Sequence, residues 1–173
     1  MKKSSLHGDN QQITKLQIGW LAGIIDGDGC ITIRRNGRYG GHNYQGNWRI
    51  TTFRPTITIA NSNPLIIEET SNILDQIKVG YNIQQREINR KTHWTIHITG
   101  FKRCKALLDK IKNHLIGKKS QANLMNKFYK TRLAKRKLSV EDKRYDEEDI
   151  KIANQLRNLN DYTRNTKGNL VKI

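Results

Sequence analysis

The chain has 173 residues and a strong excess of positive charge, with 32 Lys and Arg against 15 Asp and Glu and a formal net charge of +17. This length suits one compact domain, and because such an excess opposes folding through self-repulsion, it favours a polyanionic partner such as nucleic acid. No apolar run approaches the roughly 20 residues of a membrane-spanning helix, and the N-terminus lacks a signal-peptide core. We therefore expect an intracellular protein, in the cytoplasm, the nucleoid or an organelle matrix, that is not secreted.

The predicted organisation is a single domain over residues 1–173. Residues 1–12 are expected to be flexible, residues 13–137 to form the core, and residues 138–173 to form a C-terminal helix and tail. The two cysteines belong to no close pair and to no Cys/His cluster. We expect both to be reduced, and we expect no structural zinc site.

The first predicted helix opens with a capping box, Thr14 followed by Gln17, and continues to about Asp26. One face of this helix has almost no side chains, although each glycine within a helix is less favourable than alanine by roughly 1 kcal/mol. Close approach of a second helix is the usual reason for such a face. Because the chain has only one such helix, we expect a homodimer in which the same helix of another copy is the partner. The predicted interface consists of Gly19, Ala22, Gly23 and Gly27.

Two acids, Asp26 and Asp28, end this helix. If two copies pair along the glycine face, carboxylates meet at the bottom of the seam, where they repel each other unless a divalent, oxygen-preferring cation lies between them. We therefore predict that Asp28 is a metal ligand, with Mg²⁺ or another divalent cation such as Mn²⁺ bound. Asp26 is expected to cap or order the helix end instead.

The rest of the core repeats a helix–hairpin pattern, which predicts an α+β fold with an αββαββα core, an antiparallel sheet and extra C-terminal helices. Residues 36–47 are rich in Gly, Asn and Tyr and are predicted to be a long loop, while Pro55 favours an edge position or a bulge in its strand. The predicted elements are a strand at 30–35, a strand at 48–60, a helix capped by Asn61 or Asn63, strands at 79–88 and 92–99, helices at 101–116 and 120–137, and a helix from a cap at Ser139 to about Leu159.

Helices on one face of this sheet would leave its other face open. The outward positions carry arginine, asparagine, glutamine, histidine and threonine, which can read base edges when a twisted ribbon enters a DNA major groove. The solvated side of any antiparallel sheet can show the same pattern, and the charge of the chain favours DNA. The predicted DNA contacts are Thr32, Arg34, Arg38, Arg54, Thr56, Thr58, Asn82, Gln84, Arg86, His93, Thr95 and His97.

Residues 21–29 read LAGIIDGDG, which resembles the signature of the LAGLIDADG homing endonucleases. The resemblance extends over about residues 14–130. It implies an intron-encoded, homodimeric, site-specific endonuclease that hydrolyses phosphodiester bonds of double-stranded DNA at a long pseudo-palindromic target and acts in intron homing. Two alternatives remain open: a maturase that binds intron RNA in splicing, and a DNA-binding regulator that has lost cleavage.

The resemblance also implies roles for single residues. The last acid of the motif, Asp28, corresponds to the metal ligand, and the carbonyl of Gly27 assists in coordination. Asn61 takes the place of a polar residue that positions solvent near the metal, although it fits equally well as a helix cap. Lys118 precedes the Gln-Ala-Asn segment 121–123, where the family has a lysine that stabilises charge on the phosphate or tunes the attacking water.

Two features near the second helix and the C-terminus complete the comparison with the family. Some members carry an arginine early in the second helix, where this chain has the apolar segment 65–67, so we expect that contact to be absent or supplied elsewhere. Residues 159–164 resemble a C-terminal loop that grips phosphates. Arg164 and Lys167 are the DNA contacts that this resemblance implies.

Overall fold

A computed structural model of the protein describes residues 13–39, 49–135 and 145–162. The element order confirms the predicted α+β fold: helix, strand, strand, helix, strand, strand and helix, followed by two further helices. The elements are α1 (Lys15–Asp28), β1 (Gly29–Tyr39), β2 (Arg49–Asn61), α2 (Pro64–Gln76), β3 (Asn82–Ile88), β4 (Lys91–Thr99), α3 (Phe101–Ile111), α4 (Lys119–Lys135) and α5 (Glu147–Tyr162).

The four strands form one antiparallel sheet in the order β1-β2-β4-β3. Isoleucines lie opposite one another across the strands, with Ile31 facing Ile57 and Ile59 facing Ile96, and all four are fully buried. The helices pack on this isoleucine face. Since side chains alternate along a strand, the residues between the isoleucines point to the other, open face of the sheet.

The motif helix α1 begins as the sequence predicts, at a capping box in which Thr14 accepts a hydrogen bond from the Gln17 backbone N–H. Ile18, Ala22 and Ile25 follow one another at a spacing of four and three, so they share one face, and that face is buried in the core of the protomer. Ala22 has no exposed surface. The prediction that Ala22 lies in the dimer interface is therefore wrong, because its side chain is used inside the protomer.

The first hairpin is longer than predicted. Residues 36–39 continue β1 and pair with residues 49–52 of β2, although the sequence predicted a loop from residue 36. Glycine and asparagine lower the strand propensity of this segment, but pairing with β2 outweighs the local preference. The loop prediction is therefore wrong for residues 36–39, and residues 40–47 lie outside the described residues.

Pro55 lies in a central strand, so the predicted edge position is wrong for β2 as a whole. The pairing of β2 with β4 begins only at Thr56, opposite Thr99, and the carbonyl of Pro55 accepts a hydrogen bond from the Gly100 N–H at 2.9 Å. In an antiparallel strand, the nitrogen and the carbonyl of one residue point to the same neighbouring strand. The nitrogen of Pro55 carries no hydrogen and therefore points towards β4, just where the pairing of β2 with β4 ends. Proline at this point breaks no bond to β1.

Helix α5 covers the sheet beside β1, with Ile152, Ala153 and Leu156 buried in the core. The helix begins at Glu147, later than predicted; the proposed cap Ser139 lies outside the described residues. The carboxylate of the residue before it, Asp146, accepts a hydrogen bond from the Asp149 N–H at 3.0 Å, which satisfies an N-terminal donor of the helix.

Both cysteines are free, as predicted. Cys104 is buried and its thiol donates a hydrogen bond to the Ile98 carbonyl at 3.2 Å, and burial raises the pKa of this thiol to about 12. Cys30 is half-buried in β1. None of the five described helices has the length and hydrophobicity of a membrane-spanning segment.

A buried ionic cluster joins α4 to α5. Asp149 is fully buried, and its carboxylate lies 3.1 Å from Arg132 and 3.1 Å from Lys135. Burial alone would lower the pKa of Lys135, but its hydrogen bonds to Asp146 and Asp149 outweigh this and raise the pKa above its usual value. The cluster holds the C-terminal helix against the core.

Substitution Asp149→Ala tests this cluster. Removing the acid leaves two largely buried cations without their common partner, and we expect the free energy of unfolding to fall by about 3–5 kcal/mol. Urea denaturation of the purified chain measures it. The control is Glu148→Ala, which removes a neighbouring acid whose pair with Lys127 is half-exposed; it is expected to change stability by less than about 1 kcal/mol. Equal losses for both variants would contradict the account of the cluster.

Candidate active site and nucleic-acid interface

The end of α1 brings Asp28 next to the end of β2. The amide nitrogen of Asn61 donates a hydrogen bond to Asp28 Oδ2 at 2.6 Å, and the amide oxygen of Asn61 accepts one from the Asn63 N–H at 2.7 Å. The second bond fixes the orientation of the amide, because only its oxygen can accept. Asn63, rather than Asn61, caps α2 by accepting from the Leu65 N–H at 3.0 Å. Of the two roles that the sequence left open for Asn61, the helix cap is therefore excluded.

Asp26 binds the segment before α4. Its two carboxylate oxygens accept backbone N–H bonds, from Ile116 at 2.6 Å and from Lys118 at 2.8 Å. The ammonium group of Lys118 donates in turn to the backbone carbonyl of Asp26. Helix α3 ends at Ile111, earlier than predicted, and the residues that follow it reach the end of α1 in this way. The predicted site residues Asp28, Asn61 and Lys118 are thus grouped around one helix end.

A cleft of about 480 Å³ lies between the end of α1 and the start of α4. Gly27, Cys30 and Lys118 line it together with Gln121, which is mostly buried. The sequence analysis used Gln121 only to locate Lys118 and gave it no site role, although its place one turn after Lys118 in the first turn of α4 is a signal that could have found it. The cleft lies beside two of the candidate site residues, Gly27 and Lys118.

The C-terminal end of α1 offers two oxygen ligands for a cation. The last carbonyls of a helix have no intrahelical donor and carry the negative end of the helix dipole, so the carbonyl of Gly27 and the carboxylate of Asp28 both favour a cation. Among the described residues, no three His, Cys, Asp or Glu side chains are grouped around a common point. Mg²⁺ prefers six oxygen ligands and usually keeps waters and substrate phosphates among them. These residues fit such an ion if further oxygens come from outside the protomer.

The glycine face of α1 has no partner within the described part of the protomer. A Cβ atom added at Gly19, Gly23 or Gly27 would meet nothing within 4 Å. Leu16, which lies three residues before Gly19 on the same side, is 82% exposed. The three glycines therefore have open space beside them within the described residues, unlike Ala22, and an exposed leucine extends the face.

The open face of the sheet gathers most of the predicted DNA-contacting residues into one polar surface across four strands. Thr58 lies opposite His97, which in turn lies opposite Asn82. Arg34 lies directly opposite Arg54, and both are exposed. Like charges opposite each other destabilise a sheet unless an anion lies nearby. We call this surface the open-face cluster; it consists of Thr32, Arg34, Arg54, Thr58, Asn82, Gln84, Arg86, His93, Thr95 and His97.

Four predicted contacts do not join the open-face cluster. Thr56 is on the correct side of β2, but it has no exposed surface and its hydroxyl donates to the Arg54 carbonyl at 3.3 Å, so its expected accessibility is wrong. Arg38 lies in β1, and its side chain is outside what the structure describes. Arg164 and Lys167 are also outside the described residues.

The predicted phosphate-gripping loop at residues 159–164 begins as helix, since α5 extends to Tyr162. Within this last turn, the amide nitrogen of Asn160 donates to the Ile31 carbonyl at 2.9 Å. This bond attaches the end of α5 to β1. Asn160 therefore has a structural contact where the sequence predicted a loop.

The electrostatics of the open-face cluster act on His97. Burial lowers its pKa below the usual value of 6.5, and the positive charges of Arg34 and Arg86 lower it further. The imidazole is therefore neutral at neutral pH.

Substitution Arg34→Ala should raise the pKa of His97, because protonation of the imidazole then no longer places a positive charge near that of Arg34. A pH titration followed by NMR of the imidazole protons measures the shift. Arg54→Ala is the matched control, since Arg54 does not contribute to the shift of His97. A His97 pKa that does not move in Arg34→Ala, or that moves equally in both variants, would contradict this arrangement of charges.

Comparisons with known proteins agree with the fold and the motif. The sequence profile of the LAGLIDADG endonucleases matches residues 21–131, whereas no curated protein sequence matches the chain. The homing endonuclease I-CvuI, solved in complex with its target in the presence of 2 mM Ca, is 21% identical with a TM-score of 0.58, over 91% of this chain and 87% of that one.

Two further structures share the fold at low sequence identity. The group I intron-encoded homing endonuclease I-CeuI, complexed with DNA, is 14% identical with a TM-score of 0.57, over 86% of this chain and 70% of that one. I-LtrWI, a LAGLIDADG homing endonuclease bound to target DNA, is 18% identical with a TM-score of 0.53, over 87% of this chain and 47% of that one. On the evidence of its motif, its fold and the matching profile, the chain belongs to the LAGLIDADG endonuclease family, whose members are hydrolases that cleave DNA.

Proposed function

We propose that this endonuclease acts as a homodimer, requires a divalent cation, Mg²⁺ or Mn²⁺, and cuts both DNA strands at a long pseudo-palindromic target in intron homing. The observation that carries the proposal is the grouping of Asp28, Asn61 and Lys118 at the end of a helix whose glycine face meets none of the described residues of the protomer. A regulator without cleavage activity would have no need of Asp28 or of the amide that holds it.

Each residue of the site has a separate task in phosphodiester hydrolysis. Asp28 and the carbonyl of Gly27 would hold the cation, and Asn61 orients the Asp28 carboxylate and is close enough to position a water beside it. Lys118 supplies positive charge for the phosphate as negative charge develops on it. A bound divalent cation would polarise the phosphate and lower the pKa of a water molecule to yield the attacking hydroxide.

The proposed homodimer follows from the glycine face. Two copies of α1 related by a two-fold axis can approach closely at Gly19, Gly23 and Gly27, because nothing within the described protomer occupies the space beside them. Such a contact brings Asp28 near its symmetry mate at the end of the seam. The dimer would then have two active sites, one for each DNA strand.

The open-face cluster is the proposed DNA-reading surface. Its exposed arginines and asparagine present donors in the pattern that reads purines in the major groove. The facing pair Arg34 and Arg54 becomes favourable when DNA phosphates or guanine edges lie between the two charges. A chain with a net charge of +17 gains further affinity from the release of counterions.

Substitution Asp28→Asn tests the proposed chemistry. An amide attracts a metal ion far less than a carboxylate, so cleavage of the target duplex should be lost while DNA binding stays within about tenfold of the parent chain. Cleavage is measured with MgCl₂ and with EDTA, and binding by fluorescence anisotropy. Asp109→Asn, which makes the same change on the outer face of α3, should cleave normally. Full cleavage by Asp28→Asn, or by the parent chain in EDTA, would exclude the proposed site.

Substitution Gly23→Leu tests the proposed dimer. A leucine has no room where two backbones touch, and overpacking costs about 1–3 kcal/mol or more. Sedimentation velocity should show a shift from dimer towards monomer. Ala106→Leu is the matched control, because it adds a leucine at an exposed position of α3. An intact and active dimer for Gly23→Leu would remove the helix seam from the account.

A further inference from the structure

We infer that Asp26 is a positioning residue for catalysis: it binds the segment before α4 and thereby determines where the Lys118 ammonium group is held. The inference rests on the proposed role of Lys118 in cleavage. The proposed chemistry assigns no role to Asp26, the other acid of the motif.

The contacts of Asp26 are specific for a carboxylate. One oxygen accepts from the Ile116 N–H at 2.6 Å and the other from the Lys118 N–H at 2.8 Å, so both oxygens are used by two backbone donors of one short segment. Hydrogen bonds to an ionised acceptor are roughly twice as strong as neutral ones. An amide in this place could accept only one of the two bonds, and an apolar side chain neither.

The position of these contacts couples two helix ends. Lys118 accepts the first bond of α4 through its carbonyl, from the Ala122 N–H at 3.0 Å, so Asp26 lies at the positive N-terminal end of α4. The Lys118 ammonium group lies at the negative C-terminal end of α1, where it donates to the Asp26 carbonyl. The carboxylate of Asp26 thus lies at a helix end that favours negative charge, and the ammonium group of Lys118 lies at a helix end that favours positive charge.

The position of a lysine ammonium group depends on how the backbone of that lysine is held, because the group is a point charge on a flexible four-carbon stem. Asp26 fixes that backbone directly and does so from α1, the helix that carries the glycine face. Pairing of α1 with its copy would therefore orient Asp28 and, through Asp26, Lys118 together.

A double-mutant cycle on the target duplex tests the inference. For Asp26→Ala we expect kcat to fall by about 100-fold, the size expected when a catalytic group moves by ~1 Å, while KM stays within about threefold. Asp26→Asn keeps one acceptor and should have an intermediate kcat. The double variant Asp26→Ala/Lys118→Met should be no slower than Lys118→Met alone, because Asp26 acts only through Lys118.

The controls separate this inference from the proposed function and from loss of folding. Asp109→Ala removes an acid on the outer face of α3 and should leave kcat unchanged, and thermal melts show whether each variant is folded at the assay temperature. If Asp26→Ala does not fold, the Asp26→Asn value decides. Normal cleavage by Lys118→Met would overturn the role of Lys118 itself. Loss of cleavage by Lys118→Met with an unchanged kcat for Asp26→Asn and Asp26→Ala, or fully multiplicative effects, would overturn the positioning role of Asp26.

Discussion

The contact between the end of α1 and the start of α4 is the constraint on which the site depends. Asp26 accepts two backbone N–H bonds from the segment before α4, and Lys118 returns one bond to the last turn of α1. Because β1 follows α1 without a loop and pairs with β2, the same helix end also meets Asn61. One helix terminus therefore orders an acid, an amide and a lysine that come from distant parts of the chain.

Like charges that face each other on the sheet are the second constraint. The open-face cluster sets Arg34 against Arg54, and the pKa of His97 is lowered first by burial and then by the positive charges of Arg34 and Arg86. Without a bound anion this arrangement does not stabilise the sheet, since like charges opposite each other are unfavourable. A polyanion that spans the face would turn the repulsion into attraction. The surface is thus better suited to a state with a bound polyanion than to the free state, as its proposed role in reading DNA requires.

The sequence predicted the elements whose signals are local. The capping box at Thr14, the alternating strands and the glycine spacing each follow from a repeat or a cap, and the structure has all three. The errors concern residues whose environment is set by distant parts of the chain. Ala22 faces the core of its own protomer, and Thr56 is covered although it lies on the open face. The bond from Ile116 to Asp26 joins residues 90 positions apart, which no local pattern reveals.

The proposed site places a divalent cation where two copies of α1 would meet, between Asp28 of each protomer and the DNA. A crystal of the protein with its target duplex, selected from a randomised library and soaked with Mn²⁺, tests it by anomalous diffraction at the manganese edge. The account predicts an anomalous peak within coordination distance of Asp28 and of the Gly27 carbonyl, at the seam between the two helices. Manganese bound elsewhere, or a complex in which the glycine faces of α1 do not meet, would contradict it.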